Sequence, residues 1–286
     1  MSTTQDMTFI KRGDSPHRMI YLMGGGPGDP ELLTIKAVRA LSESDVVLYD
    51  ELVNPEILSH CGKQAEQILV GKHKGHHRYT QDEINSLTAR LALEYPVITR
   101  LKGGDPMVFG RGGEEYEFLV SRGFHCQIIP GITAACAVAA SVGQPLTHRD
   151  YASELIFLSG HSKTGAEDAD FSRLQLKGKT HVIYMGLSKL PHIMAELIQS
   201  NTGFSNIPVL VVESATRKDQ RVHVATVATI EQEIKDKKLS SPALIIIGEI
   251  VSYFNKLNNI RRKLELDSLI QTTTQLTTGQ KSAVSR

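Results

Sequence analysis

Met19-Ile20-Tyr21-Leu22-Met23, then Gly24-Gly25-Gly26-Pro27-Gly28-Asp29-Pro30, then Glu31-Leu32-Leu33-Thr34-Ile35-Lys36-Ala37-Val38: this stretch decides the fold. An apolar run, a glycine turn and an amphipathic run predict strand, tight turn and helix. Asp29 suits a helix cap, Pro30 the first helical position and Glu31 the positive end of the helix dipole. Glycines let the backbone bend sharply and let another group come close. Two familiar phosphate loops fail on spacing. From Gly24, the third glycine of G-x-G-x-x-G falls on Asp29, and the G-K pair of G-x-x-x-x-G-K-[ST] falls on Asp29-Pro30. Pro27 also removes an amide donor. Two readings stay open: a plain strand-to-helix turn, or a ligand site at a strand's carboxyl end, where open α/β sheets bind.

Working outward, apolar strand runs alternate with helical ones. Asp45–Asp50, Gln67–Val70, Pro96–Leu101 and Gln127–Ile129 read as strands. Asn54-Pro55-Glu56 opens a short helix, and Thr80-Gln81-Asp82-Glu83 is a capping box for a helix to about Glu94. Helices follow at Glu114–Arg122, stopped by Gly123, and at Thr133–Val142, whose alanines permit close packing on a helix or a ligand. Strands separated by helices argue for a mostly parallel sheet. A second series has strands at Leu155–Leu158, His181–Met185, Val209–Glu213, Arg221–Ala225 and Ala243–Ile247, with helices at Ser188–Gln199 and Ile230–Lys235. The short link between Val209–Glu213 and Arg221–Ala225 predicts an antiparallel hairpin, hence a mixed sheet. The expected organisation is a flexible arm over 1–17, an N-terminal αβ domain over 18–130, a C-terminal αβ domain over 131–257 and a flexible polar tail over 258–286.

Composition narrows the function classes. A chain of 286 residues, 41% hydrophobic and 22% charged, is ordinary for a globular protein. The net charge of +1 gives no general field for nucleic acid or membrane, so anion recognition must be local. Cys61, Cys126 and Cys136 form no C-x-x-C pair and are expected as reduced, buried thiols. The amino end lacks a signal-peptide core and no apolar run reaches the ~20 residues of a membrane span, so a cytoplasmic protein is expected.

Four loops follow strands of the first half: Gly24–Pro30, Asp50–Asn54, Gly71–Thr80 and Lys102–Glu115. The last holds five glycines in fourteen residues, which no regular element tolerates. Asp50 closes an apolar strand and is either a base or a turn acid. Lys72 follows a strand in the same way, or is a solvated surface lysine. His73, His76 and His77 have no acid or cysteine beside them, so no metal site is expected. No G-x-S-x-G elbow or Cys/His nucleophile signature occurs. Lys72, Lys74, Arg78, Lys102, Arg111, His148 and Arg149 lie beside these loops and suit a poly-anionic small ligand, arginine matching carboxylates.

The blocks resemble a known family. Gly24-x-Gly26-Pro27-Gly28-Asp29-Pro30-x-Leu32-Leu33-Thr34-x-Lys36-Ala37 is similar to the opening motif of the tetrapyrrole methyltransferases, which use S-adenosylmethionine. Val47-x-Tyr49-Asp50-x-Leu52-Val53 resembles the next block. Arg100-Leu101-Lys102-Gly103-Gly104-Asp105-Pro106-x-Val108-Phe109-Gly110-Arg111-Gly112-Gly113-Glu114-Glu115, Pro130-Gly131-Ile132-Thr133-Ala134 and Gly143-x-Pro145-Leu146-Thr147-His148-Arg149 resemble the branch acting on uroporphyrinogen III. The likeness runs from about residue 19 to 253, with the blocks in order.

The resemblance implies two αβα domains with the active-site cleft between them, in a homodimer. It implies cofactor contacts at Pro27, Gly103, Gly104, Asp105, Val108, Thr133, Ala134, Met185, Ala215 and Ala243. Asp50 would be the proton acceptor, Lys72 the proton donor, and Lys102, Arg111 and Arg149 partners of the substrate. One departure is Glu213-Ser214-Ala215-Thr216, with alanine where the family commonly shows glycine before threonine. The implied reaction moves methyl groups from S-adenosyl-L-methionine, leaving S-adenosyl-L-homocysteine, to ring carbons 2 and 7 of uroporphyrinogen III. Precorrin-2 forms by way of precorrin-1, for sirohaem or cobalamin. Rival readings are a later corrin-ring, diphthamide or ribosomal RNA methyltransferase, a nucleotide-dependent oxidoreductase, and a non-catalytic tetrapyrrole carrier.

Overall fold

The computed structural model describes residues 18–71, 79–161 and 170–264. Lys72, Lys74, Arg78 and the three clustered histidines lie outside them. The opening run forms β1 (Met19–Gly24), whose neighbours are β4 (Val97–Lys102) on one side and β5 (Cys126–Ile129) on the other. With β2 (Val46–Tyr49) and β3 (Glu66–Leu69) they make a five-stranded sheet in the order β3-β2-β4-β1-β5, every pair parallel. Burial of both faces explains the near-continuous apolar strands.

Helices cover each face. α1 (Ile35–Glu43) buries Ala37, Ala40 and Leu41 with Met23, Val47 and Leu101. On the opposite face α2 (Gln81–Glu94) and α3 (Gly112–Val120) pack Ile84, Ala89 and Leu119 onto Leu22, Leu48 and Ile98. The chain leaves β1 towards β2 and leaves β4 towards β5, so these adjacent strands mark the switch point where such sheets form a crevice. Both glycine-rich loops start there.

The second half begins with α4 (Ala134–Val142), ended by Gly143 in the left-handed region. Its sheet runs β6-β7-β10-β8-β9, built from β6 (Glu154–Ser159), β7 (Lys179–Tyr184), β8 (Pro208–Glu213), β9 (Arg221–Thr226) and β10 (Ala243–Ile247). β6 and β7 are parallel and the other pairs antiparallel, including the expected β8–β9 hairpin. α5 (Leu190–Ser200) and α6 (Ile230–Lys237) cover one face with Ile193, Leu197 and Ile230. α4 and a helix over 251–264 cover the other with Ala135, Val138, Val251 and Phe254. Each half is a helix–sheet–helix sandwich.

Three local expectations change. The helix after the glycine turn is split: Asp29 caps only a short 3-10 turn (Pro30–Leu32), Leu33 is extended, and Thr34 caps α1 through Ala37 N. The polar segment beyond 258 is helical through 264, the last described residue, because Val251 and Phe254 begin that helix on the apolar face of the second sheet. Cys136 is exposed, since α4 turns Ala135 and Val138 inward instead. Among the described residues no helix is long and apolar enough to cross a membrane.

Candidate active site

The two glycine loops are joined to each other. Gly26 N donates to Gly104 O at 3.1 Å, and Gly104 N donates back to Gly26 O at 2.7 Å. A Cβ on Gly24 would lie 2.5 Å from Gly104 O, and one on Gly131 would lie 2.2 Å from it. What approaches Gly24 closely is therefore main chain, from the loops after β4 and β5. Gly26 and Gly104 have φ of +70° and +68°, the left-handed region that favours glycine. Asp105 ties the same loops: its carboxylate accepts from Met107 N at 2.8 Å and Gly131 N at 3.0 Å.

Above this floor lies a cleft of about 340 Å³ between the two sheets' loop ends. One wall is small and apolar: Pro27, Gly103, Gly104, Val108 and, at the start of α4, Thr133 and Ala134. Tyr184 braces it, its hydroxyl 2.7 Å from Thr133 Oγ1 and accepting from Ala135 N at 3.1 Å. Burial pushes the Tyr184 phenol up, partly offset by those hydrogen bonds. Phe109, Arg111 and Met185 also line the cleft, each with φ between 52° and 58°. Left-handed non-glycine residues cost about 1–3 kcal/mol each and gather where surrounding structure holds them for a purpose.

The other end is charged. Asp50, at the end of β2, places Oδ1 2.5 Å from Arg100 Nη2 and Oδ2 3.8 Å from Lys102 Nζ. Arg100 and Lys102 stand two apart on β4 and so share a face of the sheet, the one covered by α2 and α3. Lys102 is buried, and burial first and Arg100 second push its pKa down, against the opposing pull of Glu115 and Asp50. Arg111 caps α3 and pairs with Glu114 at 2.6 Å.

The structure thus brings together Asp50, Lys102, Arg111, Pro27, Gly103, Gly104, Asp105, Val108, Thr133, Ala134 and Met185 on one cleft. Lys72 lies outside the described residues. Ala215 and Ala243 do not line the cleft, although Arg217 and Pro242 beside them do. His148 and Arg149 are also away from it. A tight turn closed by His148 N to Ala152 O sets the His148 ring edge-on to Tyr151 and tilted against Tyr253, and leaves Arg149 exposed.

Two cations of the cleft escaped the sequence reading. Arg100 sits inside an apolar strand run, and its one signal is the alternation with Lys102. Arg217 comes from the β8–β9 turn, far off in sequence. That turn reaches the first domain at several points. Arg217 Nη2 donates to Leu52 O at 2.6 Å, Asp29 N donates to Thr216 Oγ1 at 3.1 Å, and Lys218 pairs with Glu56 at 3.1 Å.

Comparison with known proteins places the chain in a family. Residues 19–231 match the model of the Tetrapyrrole (Corrin/Porphyrin) Methylases. A siroheme synthase of Pseudoalteromonas atlantica is 45% identical over 254 residues, covering 89% of this chain and 55% of that protein. The chain spans about half the length of such curated relatives. Among solved structures, the uroporphyrin-III C-methyltransferase of Thermus thermophilus complexed with S-adenosyl homocysteine is 39% identical with a TM-score of 0.70. The match covers 82% of this chain and 99% of that one. A cobalt precorrin-4 methyltransferase is 26% identical, with a TM-score of 0.72 over 82% of this chain and 96% of its own. The family match spans well over half of the chain, and the siroheme synthase and uroporphyrin-III C-methyltransferase relatives are 45% and 39% identical to it: the chain belongs to the tetrapyrrole (corrin/porphyrin) methylases.

Proposed function

We propose that this chain methylates uroporphyrinogen III at ring carbons 2 and 7, forming precorrin-2 by way of precorrin-1 with S-adenosylmethionine as methyl donor. The observation that carries this reading is the division of one cleft into a small-residue wall and a charged end holding Asp50. The wall is suited to the cofactor: Pro27, Val108 and Ala134 offer apolar surface for a nucleoside and thioether, and Gly103 and Gly104 add no side-chain bulk. Asp105, Thr133 and Met185 complete the residues that would hold it. When bound, S-adenosylmethionine supplies an electrophilic methyl group.

The chain's own work is then positional. A pyrrole carbon is the nucleophile, so no side-chain nucleophile is needed, and orientation alone supplies roughly 7–11 kcal/mol of the barrier lowering. Lys102, Arg111 and Arg217 face the cleft as cationic partners for the carboxylates of a poly-anionic macrocycle. Asp50 takes up the proton released from the ring. Arg100 holds Oδ1, leaving Oδ2 to accept it. Lys72 and Arg149 stay in the proposal as proton donor and substrate partner on the strength of the motif alone, as do Ala215 and Ala243 on the cofactor.

A cytoplasmic homodimer belongs to the same proposal. Ile260 and Leu264, on the helix over 251–264, are 46% and 63% exposed, and a second copy would cover them. Sedimentation velocity should give twice the monomer mass; a monomer at micromolar concentration refutes that part.

The direct test uses purified protein, methyl-labelled S-adenosylmethionine and uroporphyrinogen III. Label should pass to the tetrapyrrole, and folded protein that transfers none overturns the function. Calorimetric titration separates the rival class: S-adenosylhomocysteine should bind, and NAD should give no heat.

A further inference from the structure

Behind the charged end of the cleft is a residue that neither the family blocks nor the cleft lining singles out by role. Glu115, in the first turn of α3, is 2% exposed. Its Oε1 accepts from Lys102 Nζ at 2.9 Å and from Gln81 Nε2 at 2.8 Å, and lies 3.4 Å from Arg100 Nε. Its Oε2 is buried with no hydrogen-bond partner among the described residues. Gln81 is itself steered, donating to Asn85 Oδ1 at 3.0 Å.

Buried ionic groups are tolerated only when their charges are matched and hydrogen-bonded. The group here is balanced: Arg100 and Lys102 against Asp50 and Glu115. Asp50 touches the cleft, whereas Glu115 does not line it. A carboxylate with no access to ligand, gripping both cations that surround the proposed base, acts through them.

We infer that Glu115 is a positioning residue for this reaction: a buried counter-charge that holds Lys102 cationic and Arg100 in place, and so fixes the orientation of Asp50. The inference rests on the proposed function for its kinetic consequence and on the charge balance alone for its structural one.

Every charged group near Lys102 among the described residues bears on the sign. Arg100 stands on its own strand, Asp50 on the loop after β2, and Glu115 on α3. Asp105, Arg111 and Arg217 line the same cleft, and α2 presents the uncharged Gln81 and Asn85, with Asp82 of its first turn acting on Arg111. On β5, the Cys126 thiol is pushed up to about 12 by burial first and Glu115 second, so it stays neutral. Burial and Arg100 already press Lys102 towards the neutral amine, opposed by Glu115 and Asp50. Removing the Glu115 charge takes away one of those two supports. The lysine pKa falls further, and its cationic form, present at low pH, is lost as pH rises through the lowered value.

The experiment is a cycle of Glu115→Gln, Lys102→Met and the double variant in the full chain. Each single change leaves the buried group unbalanced, whereas the double leaves Arg100 facing Asp50. Both singles should melt below the wild type, and the double above either single. Additive or worse melting in the double overturns the inference. If Glu115→Gln does not fold alone, a folded double supports the inference and an unfolded one overturns it. With labelled methyl transfer, kcat/KM of Glu115→Gln should fall about ten-fold or more, the loss relative to the wild type growing as pH rises and easing as pH falls, with affinity for S-adenosylhomocysteine retained. A wild-type pH profile in a folded Glu115→Gln also overturns it. A wild type that transfers no methyl group sinks the proposed function instead, and the melting cycle still judges Glu115.

Discussion

Asp50→Asn should retain binding of S-adenosylhomocysteine and lose turnover by roughly 100-fold or more, the range general bases contribute. The substitution preserves volume and the hydrogen bond from Arg100, which reaches Asp50 Oδ1 at 2.5 Å. What it removes is the capacity to hold a proton. It also leaves Arg100 and Lys102 facing Glu115 alone, so some stability should be lost with the charge balance. The two effects separate in measurement: the cofactor-side titration reports a folded cleft, and single-turnover methyl transfer reports chemistry. Unchanged turnover in a folded variant would remove Asp50 from the mechanism and favour a carrier role for the cleft.

The second large effect concerns stability. Gly131→Ala should cost about 3 kcal/mol or more, because a new Cβ would sit 2.2 Å from Gly104 O and 2.8 Å from Gly24 Cα. These neighbours are main chain of loops held by β1 and β4, which cannot rotate aside as a side chain would. A fall in melting temperature of roughly 6–12 °C follows for a domain of this size. Gly113→Ala is the internal control. A Cβ there meets nothing within 4 Å among the described residues, so the change should be neutral or slightly stabilising. Equal melting of both variants would show that the glycine cluster tolerates bulk.

The contrast between those two glycines explains what could be read in advance. Strand runs such as Val46–Tyr49 and Val209–Glu213 declare themselves through apolar continuity and punctuation. The capping box at Thr80 fixes the start of α2 through purely local hydrogen bonds. Asp50 was legible as a site candidate because an acid closing an apolar strand is locally odd. The purpose of Gly24 was not legible, since its partners, Gly104 and Gly131, become neighbours only once β4 and β5 flank β1. Arg100 hides for a similar reason: on one strand it resembles an exposed interruption, and only α2 and α3 above it reveal a buried ionic group. Arg217 enters through a hairpin turn whose reach across to Leu52 has no trace in its own sequence.

The reciprocal bond between Gly26 and Gly104 has one further consequence. It is an isolated antiparallel bridge just past the ends of the parallel strands β1 and β4, so the floor of the cleft is one tied unit rather than a pair of independent loops. The conformational entropy of these residues is therefore lost when the chain folds, before any ligand arrives. Association meets a wall that is already ordered, and preorganisation of this kind raises affinity by lowering the ordering cost of binding.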